Sequence, residues 1–255
     1  MTILHIIGLS KNFGGLTALK ELDLEIGSGE IVGIIGPNGA GKTTLLNIIS
    51  GILRPSRGKI LFKNERIDGL PSHQIAKRGI GRTFQHSVLF HGATTLWNVE
   101  AGFHIQRKVG FCATLLRSED CKREEERIRT SAEEIMNFMG LKADKDMLAH
   151  NLPFGQQRIL GLCLALATKP ELLLLDEPAA GLNSEETIKI MSKIRAIRDQ
   201  RITVILVEHD MKVVMGLCDR IFVLNYGERL AEGTPKEIQA NEAVIQAYLG
   251  RAEAS

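Results

Sequence analysis

Gly36-Pro37-Asn38-Gly39-Ala40-Gly41-Lys42-Thr43 follows an aliphatic run at residues 31–35 and precedes an apolar-periodic stretch at residues 42–50. The branched apolar run predicts a strand buried on both faces, and the stretch after the glycines predicts a helix. Together they frame the pattern GxxxxGK[ST] in the context its mechanism needs. The glycines let the backbone wrap phosphate oxygens, successive N–H groups and the helix N-terminus point at the anion, and Lys42 adds a point charge. Thr43 is placed to put its hydroxyl on Mg²⁺, and Thr44 beside it joins the same nucleotide-binding set. The bland alternative is a glycine turn with a helix-capping threonine; strand, full motif and helix rarely coincide by chance.

Outward from this loop, residues 3–7 and 22–26 read as short β runs, separated from each other by Gly14-Gly15 and from the run at 31–35 by Gly27-Ser28-Gly29, and residues 58–62 give another short strand. Further along, residues 171–175, 202–207 and 220–224 are again aliphatic, with a helix-length amphipathic stretch at 184–197. Alternating strands and helices predict a parallel sheet covered on both faces. Between residues 95 and 168 β signals nearly vanish. That stretch is expected to be a helical subdomain inserted into an α/β core made of residues 1–94 and 169–255, all within one domain, 1–255. Its most charged part, residues 117–129, reads as a solvated helix face or loop.

Composition agrees with an ordinary globular fold: 255 residues, 44% hydrophobic and 24% charged, which excludes disordered, collagen-like and disulfide-scaffold classes. Lys plus Arg exceeds Asp plus Glu by 32 − 30 = 2, too little for a general nucleic-acid footprint. Cys112, Cys121, Cys163 and Cys218 are scattered without a CxxC pair, so reduced thiols are expected and a zinc site is not. No apolar run reaches the ~18–20 residues of a spanning helix, and the N-terminus carries no secretory pattern.

A second element of chemistry is Leu172-Leu173-Leu174-Leu175-Asp176-Glu177, an aliphatic strand ending in two acids. Strand C-terminal ends form the ligand crevice of a parallel sheet, so Asp176 can face a metal shell and Glu177 the terminal phosphate. Glu177 is then the general base that polarises an attacking water.

The phosphate loop, Gln85, Asn151-Leu152-Pro153-Phe154-Gly155-Gln156-Gln157-Arg158, Asp176-Glu177 and His209 occur in that order. Over nearly its whole length the chain closely resembles an ABC transporter ATP-binding subunit. The resemblance implies an α/β fold, a P-loop NTPase core with an antiparallel β subdomain and an inserted helical subdomain, using ATP and Mg²⁺. It also implies roles for single residues. Phe13, in Lys11-Asn12-Phe13-Gly14-Gly15, matches the aromatic that stacks on adenine, and Ala18 lines the same pocket. The competing reading makes Phe13 a core residue beside a hairpin turn. Gln85 matches the glutamine loop, touching Mg²⁺ or the attacking water, and His209 the switch histidine that contacts the γ-phosphate.

The signature segment departs from the commonest Leu-Ser-Gly-Gly-Gln form: Pro153 and Phe154 replace Ser-Gly, while Gly155 and Gln156 remain. No serine hydroxyl is available there, and what survives is the start of a helix expected at 156–168, whose N-terminus attracts a γ-phosphate. In the family this segment completes the opposing subunit's site, so dimerisation is part of the mechanism. Asn183 stands where relatives carry a D-loop aspartate, and with Glu186 it also forms a helix-capping pattern.

Arg82-Thr83-Phe84-Gln85, Gly155-Gln156-Gln157-Arg158, Asp176 through Asn183, Glu208-His209-Asp210-Met211 and Val244-Ile245-Gln246-Ala247-Tyr248-Leu249-Gly250 together are similar to the LivG-type ATPase of branched-chain amino acid importers. That subgroup implies a second, LivF-type ATPase in a nucleotide-sandwich dimer, with a homodimer as the form in isolation. It further implies two integral-membrane permease subunits, an extracytoplasmic solute-binding protein engaged indirectly, a place on the cytoplasmic face of the membrane, and no nucleic acid. Importers of urea, amides or other small polar solutes use very similar subunits, and a soluble ABC ATPase is the alternative from another class. A nucleotide-binding module without hydrolysis is opposed by intact Lys42, Asp176, Glu177 and His209.

Overall fold

The computed structural model describes residues 1–83, 89–106 and 119–249. Strands β1 (Thr2–Phe13) and β2 (Leu16–Gly27) open the chain as an antiparallel hairpin. Each is 12 residues long, well beyond the short runs expected at 3–7 and 22–26. Polar residues on the outer face, such as Lys11 and Glu25, interrupt the hydrophobic signal while the ladder continues beneath them. After β3 (Ile31–Ile35) and helix α1 (Lys42–Ile49) come β4 (Arg57–Phe62), the two-residue β5 (Glu65–Arg66), helix α2 (Ser72–Lys77) and β6 (Ile80–Arg82). Sheet order β2-β1-β4-β5 gives the antiparallel subdomain.

Beyond the helical stretch the chain runs through β7 (Leu172–Asp176), β8 (Thr203–Val207), β9 (Arg220–Asn225) and β10 (Glu228–Gly233). The second sheet has the order β10-β9-β3-β8-β7-β6; every pairing is parallel except β9 with β10. All five residues of β3, β7 and β8 are buried, as strands covered on both faces require. Close approach is bought at Gly33, where a Cβ would lie 2.8 Å from Cys218 Sγ. β10 carries only Leu230 and Ala231 as apolar side chains among Glu228, Arg229 and Glu232, so no hydrophobic alternation marks it in the sequence.

By contact the chain divides into two compact units, Met1–Arg82 with Glu171–Ser255, and Thr83–Pro170. In the second, α3 (Thr95–Gly102), α4 (Glu119–Met139) and α5 (Phe154–Ala167) are the main helices. A Cβ on Gly102 would stand 2.8 Å from the Leu164 carbonyl, so glycine lets α3 press against α5. Cys121, Ile128, Ala132, Met136 and Met139 form the buried stripe of α4. Its opposite face carries the exposed ion pairs Lys122–Glu119 and Arg127–Glu124, both 2.9 Å, so residues 119–129 are a helix with a solvated side. Residues 117 and 118 lie outside the described residues.

Candidate functional site

The central sheet places the phosphate loop, the acidic strand end and His209 at the carboxyl ends of adjacent strands β3, β7 and β8. Gly36 leaves β3 at φ 151°, where an added Cβ would meet the Leu224 carbonyl at 2.1 Å. Gly41 has φ 105° and an added Cβ there would stand 2.6 Å from the Ala18 carbonyl. Only bare backbone fits at these two corners. The Ala18 carbonyl therefore backs the loop at Gly41. Gly41 is the N-cap of α1 and has no side-chain capping bond, so the first-turn N–H groups are offered to whatever anion the loop receives.

Lys42 is 6% exposed, with its Nζ donating to the carbonyls of Gly36 at 2.7 Å and Pro37 at 3.0 Å. Thr43 is exposed at the start of the helix and Thr44 half-buried, while Asn38 and Gly39 form the exposed tip and Ala40 is buried below it. Phe13 ends β1 with 45% exposure and the Lys11 ammonium 4.9 Å from its ring centre. The core reading of Phe13 is thus overturned: its ring faces solvent, available for stacking.

Asp176 closes β7 with its carboxylate buried, and Glu177 follows at φ 49° while its N–H donates to the Val207 carbonyl at 2.9 Å. A non-glycine residue held left-handed costs roughly 1–3 kcal/mol and is typical of functional corners. The corner turns the Glu177 side chain to His209, whose Nε2 is 2.8 Å from Glu177 Oε1. The contact is a hydrogen bond donated by histidine in the tautomer protonated at Nε2.

Two charged residues that the sequence motifs did not single out complete the arrangement. Glu208, only 4% exposed, accepts from the Ala179 N–H at 2.8 Å and the His209 N–H at 3.1 Å. Burial raises its carboxyl pKa, and those backbone donors oppose the rise. It clamps the turn after Glu177 to the segment bearing His209. Arg82, at the end of β6, reaches Asp176 Oδ2 at 3.0 Å, and burial pulls its pKa down against the pull of that carboxylate. Each stands beside a motif residue in the sequence, Arg82 three positions before Gln85 and Glu208 next to His209. An uncharged residue, Tyr248, joins them: its hydroxyl meets the Gly36 backbone, and burial raises its pKa against that bond.

Asn183 is committed to a capping box, its Oδ1 accepting from the Glu186 N–H at 3.0 Å and Glu186 Oε2 accepting from its own N–H at 3.1 Å. It starts helix α6 (Ser184–Asp199). In the helical unit, α5 starts at Phe154, two residues before the expected start at 156, with Pro153 at the N-cap, where its missing N–H removes no helix bond. Phe154 is 49% exposed with the Arg158 guanidinium 5.0 Å from its ring, Gly155 is buried and Gln156 half-buried. Gln85 lies outside the described residues. Among the described residues, no group of three or more His, Cys, Asp or Glu is placed to hold a metal ion.

The family model described as ABC transporter matches residues 19–180. The chain belongs to that family. A further model, Branched-chain amino acid ATP-binding cassette transporter, matches residues 228–254, the region that contains Tyr248. The cassette is 43% identical to the high-affinity branched-chain amino acid transport ATP-binding protein LivG of Escherichia coli K12, over 98% of either chain. It is 41% identical to the corresponding protein BraF of Pseudomonas aeruginosa, again over 98% of both. A nucleotide-free cassette from an ABC transporter superposes with a TM-score of 0.86 at 29% identity, covering 97% of this chain and 99% of that one. The ADP conformation of an ATP-binding cassette of an ABC transporter gives 0.86 at 30% identity, covering 98% of this chain and 99% of that one. The chain is an ATPase of this family, and the expected architecture is the one observed. Among the described residues no helix is long and apolar enough to cross a membrane.

Proposed function

We propose that this cassette powers an importer of branched-chain amino acids by hydrolysing ATP at the site built on Lys42, Asp176, Glu177 and His209. The 2.8 Å contact of His209 with Glu177, at the rim of the glycine cradle, carries the assignment of roles; the likeness to LivG and BraF supports the cargo. Phe13 stacks on adenine beside Ala18, while residues 36–44 hold the phosphates through N–H groups and the Lys42 ammonium. Thr43 and Asp176, with Gln85, are the residues to hold Mg²⁺, which when bound neutralises charge on the β- and γ-phosphate oxygens.

Glu177 Oε accepts a proton from water as the water oxygen bonds to the γ-phosphorus and the bond from that phosphorus to the β–γ bridging oxygen breaks. ADP leaves with that bridging oxygen. His209 orients Glu177 and the γ-phosphate, and Glu208 keeps His209 in place. In a sandwich dimer, Pro153, Phe154, Gly155 and Gln156 at the start of α5 present backbone N–H groups to the other subunit's γ-phosphate, and Asn183 lies along the same seam. A dimeric relative bound to ADP and phosphate, 29% identical with a TM-score of 0.76, supports the dimer. Closure bound to ATP and reopening after hydrolysis work on two permease subunits at the cytoplasmic membrane face, because ATP binds the closed state more tightly. A LivF-type cassette is the expected second subunit.

Isolation of the chain from gently solubilised native membranes, with mass spectrometry of what accompanies it, tests this reading. Two polytopic subunits, a second cassette and a binding protein that holds leucine, isoleucine or valine are expected. A binding protein loaded with urea or an amide would redirect the cargo, and recovery only with soluble ribosomal or DNA-associated partners would overturn transport.

A further inference from the structure

Arg82 ends the edge strand β6, three residues before Gln85, with its guanidinium buried between α1 and the end of β7. Nη1 donates to Asn47 Oδ1 at 2.8 Å and Ser50 Oγ at 2.7 Å, both in or just after α1, and Nη2 donates to Asp176 Oδ2 at 3.0 Å. Arg82 and Asp176 side chains are each only 7% exposed. Ser50 is itself fixed, donating to the Leu46 carbonyl at 2.8 Å.

A buried ion pair is a poor device for stability alone, since apolar side chains of similar volume usually do as well or better. What a planar guanidinium adds is geometry: its fork meets partners on two elements at once, which a lysine point charge does not reproduce. Here the fork ties the helix that follows the phosphate loop to the acid that ends β7. We propose that Arg82 is a positioning residue, holding the Asp176 carboxylate at a set distance from α1 so that the phosphate loop and the metal-facing acid act as one site. The inference rests on the reading of Asp176 as a metal-facing residue. Removing Arg82 then releases Asp176 without touching the loop that grips the nucleotide.

The test uses the intact chain and reads Mn²⁺ binding in the presence of ADP by electron paramagnetic resonance, alongside ADP affinity in excess chelator. Arg82→Gln is expected to weaken Mn²⁺ by about tenfold or more, the usual effect of removing an outer-shell partner, while metal-free ADP affinity stays within about twofold. Arg82→Lys, which keeps the charge and the fold if the glutamine variant does not, shows an intermediate loss. The Asn47→Ala, Ser50→Ala double variant, which leaves the ion pair in place, also weakens Mn²⁺ because the fork loses its anchor on α1. In an Asp176→Asn background Arg82→Gln adds nothing further. Unchanged Mn²⁺ affinity in both Arg82 variants, or an equal loss of Mn²⁺ and metal-free ADP binding, overturns the proposal. An Arg82 effect that persists undiminished without Asp176 overturns it as well. If Asp176→Asn alone binds Mn²⁺ like the wild type, the assignment of Asp176 fails first, and the proposal with it.

Discussion

His209 Nε2 lies 2.8 Å from Glu177 Oε1, and the two residues come from the ends of adjacent strands held in parallel register, Asp176 opposite Val207. The strand register sets this separation and the left-handed turn at Glu177 aims the side chain. In the role proposed for Glu177, a base facing both water and a γ-phosphate needs its carboxylate fixed before substrate arrives, and the contact with His209 is suited to that.

Glu177→Gln keeps the shape and the contact but cannot accept a proton. Phosphate release is expected to fall by about 10²–10⁴-fold, the range associated with a positioned base, with ATP affinity retained. Steady-state phosphate assays beside an ATP-binding titration decide it; turnover near wild type would remove Glu177 as base.

Gly36→Ala must push a methyl group into the Leu224 carbonyl at 2.1 Å in a backbone conformation closed to alanine. Strain of roughly 1–3 kcal/mol spread over the loop should weaken ATP by about tenfold. Gly15→Ala is the control, since its Cβ would meet nothing within 4 Å and its φ carries no such restriction. Isothermal titration of both variants separates loop geometry from a general intolerance of alanine.

Phe13→Ala removes an exposed ring, so the thermal midpoint should hold while ATP weakens by about 1–3 kcal/mol, the worth of one stacked base. Phe13→Trp should restore the affinity. Equal losses of ATP and of tripolyphosphate affinity in Phe13→Ala would show that the ring does not touch the base.

Much of this site was legible because its chemistry is local. The loop at residues 36–43 announces itself by spacing between strand and helix, and Asp176-Glu177 by an aliphatic run that ends in acids. Asn183 was read both as a cap and as a seam residue, and its capping box with Glu186 is present. Arg82 and Glu208 were not assigned roles because their partners are distant in sequence: Arg82 lies 94 residues from Asp176, and Glu208 lies 29 from Ala179. Buried charge pairing of that kind leaves no periodicity to read. The hairpin of β1 and β2 extends beyond the runs at 3–7 and 22–26 for a different reason: polar residues and register shifts break the alternation that marks a strand although the pairing continues from end to end.

Burial pushes the Cys218 thiol pKa from 9.0 up to about 12, with Asp219 and Glu208 adding to the shift. The unfolded chain therefore releases that proton first. The stability this thiol contributes is whole below about pH 9 and is lost as pH rises toward 12. In a Cys112→Ser variant the remaining cysteines, 121, 163 and 218, are all buried. Native protein at pH 8 should therefore resist alkylation, and urea should release all of them. Rapid labelling of Cys218 in the native state, located by peptide mapping, would contradict this burial.

Glu208→Ala takes away the acceptor for a buried backbone donor at Ala179 and a partly buried one at His209. Leaving them unsatisfied costs about 1–3 kcal/mol, so the urea midpoint should drop. The informative part is kinetic. His209 loses the tether on its own N–H, so kcat should fall while KM for ATP changes little, because the phosphate loop and Phe13 are untouched. Glu208→Gln retains one acceptor oxygen but turns an amide toward the second donor, and should fall between the two in both midpoint and kcat. A lowered midpoint with unchanged kcat would make Glu208 a structural clamp with no bearing on the position of His209.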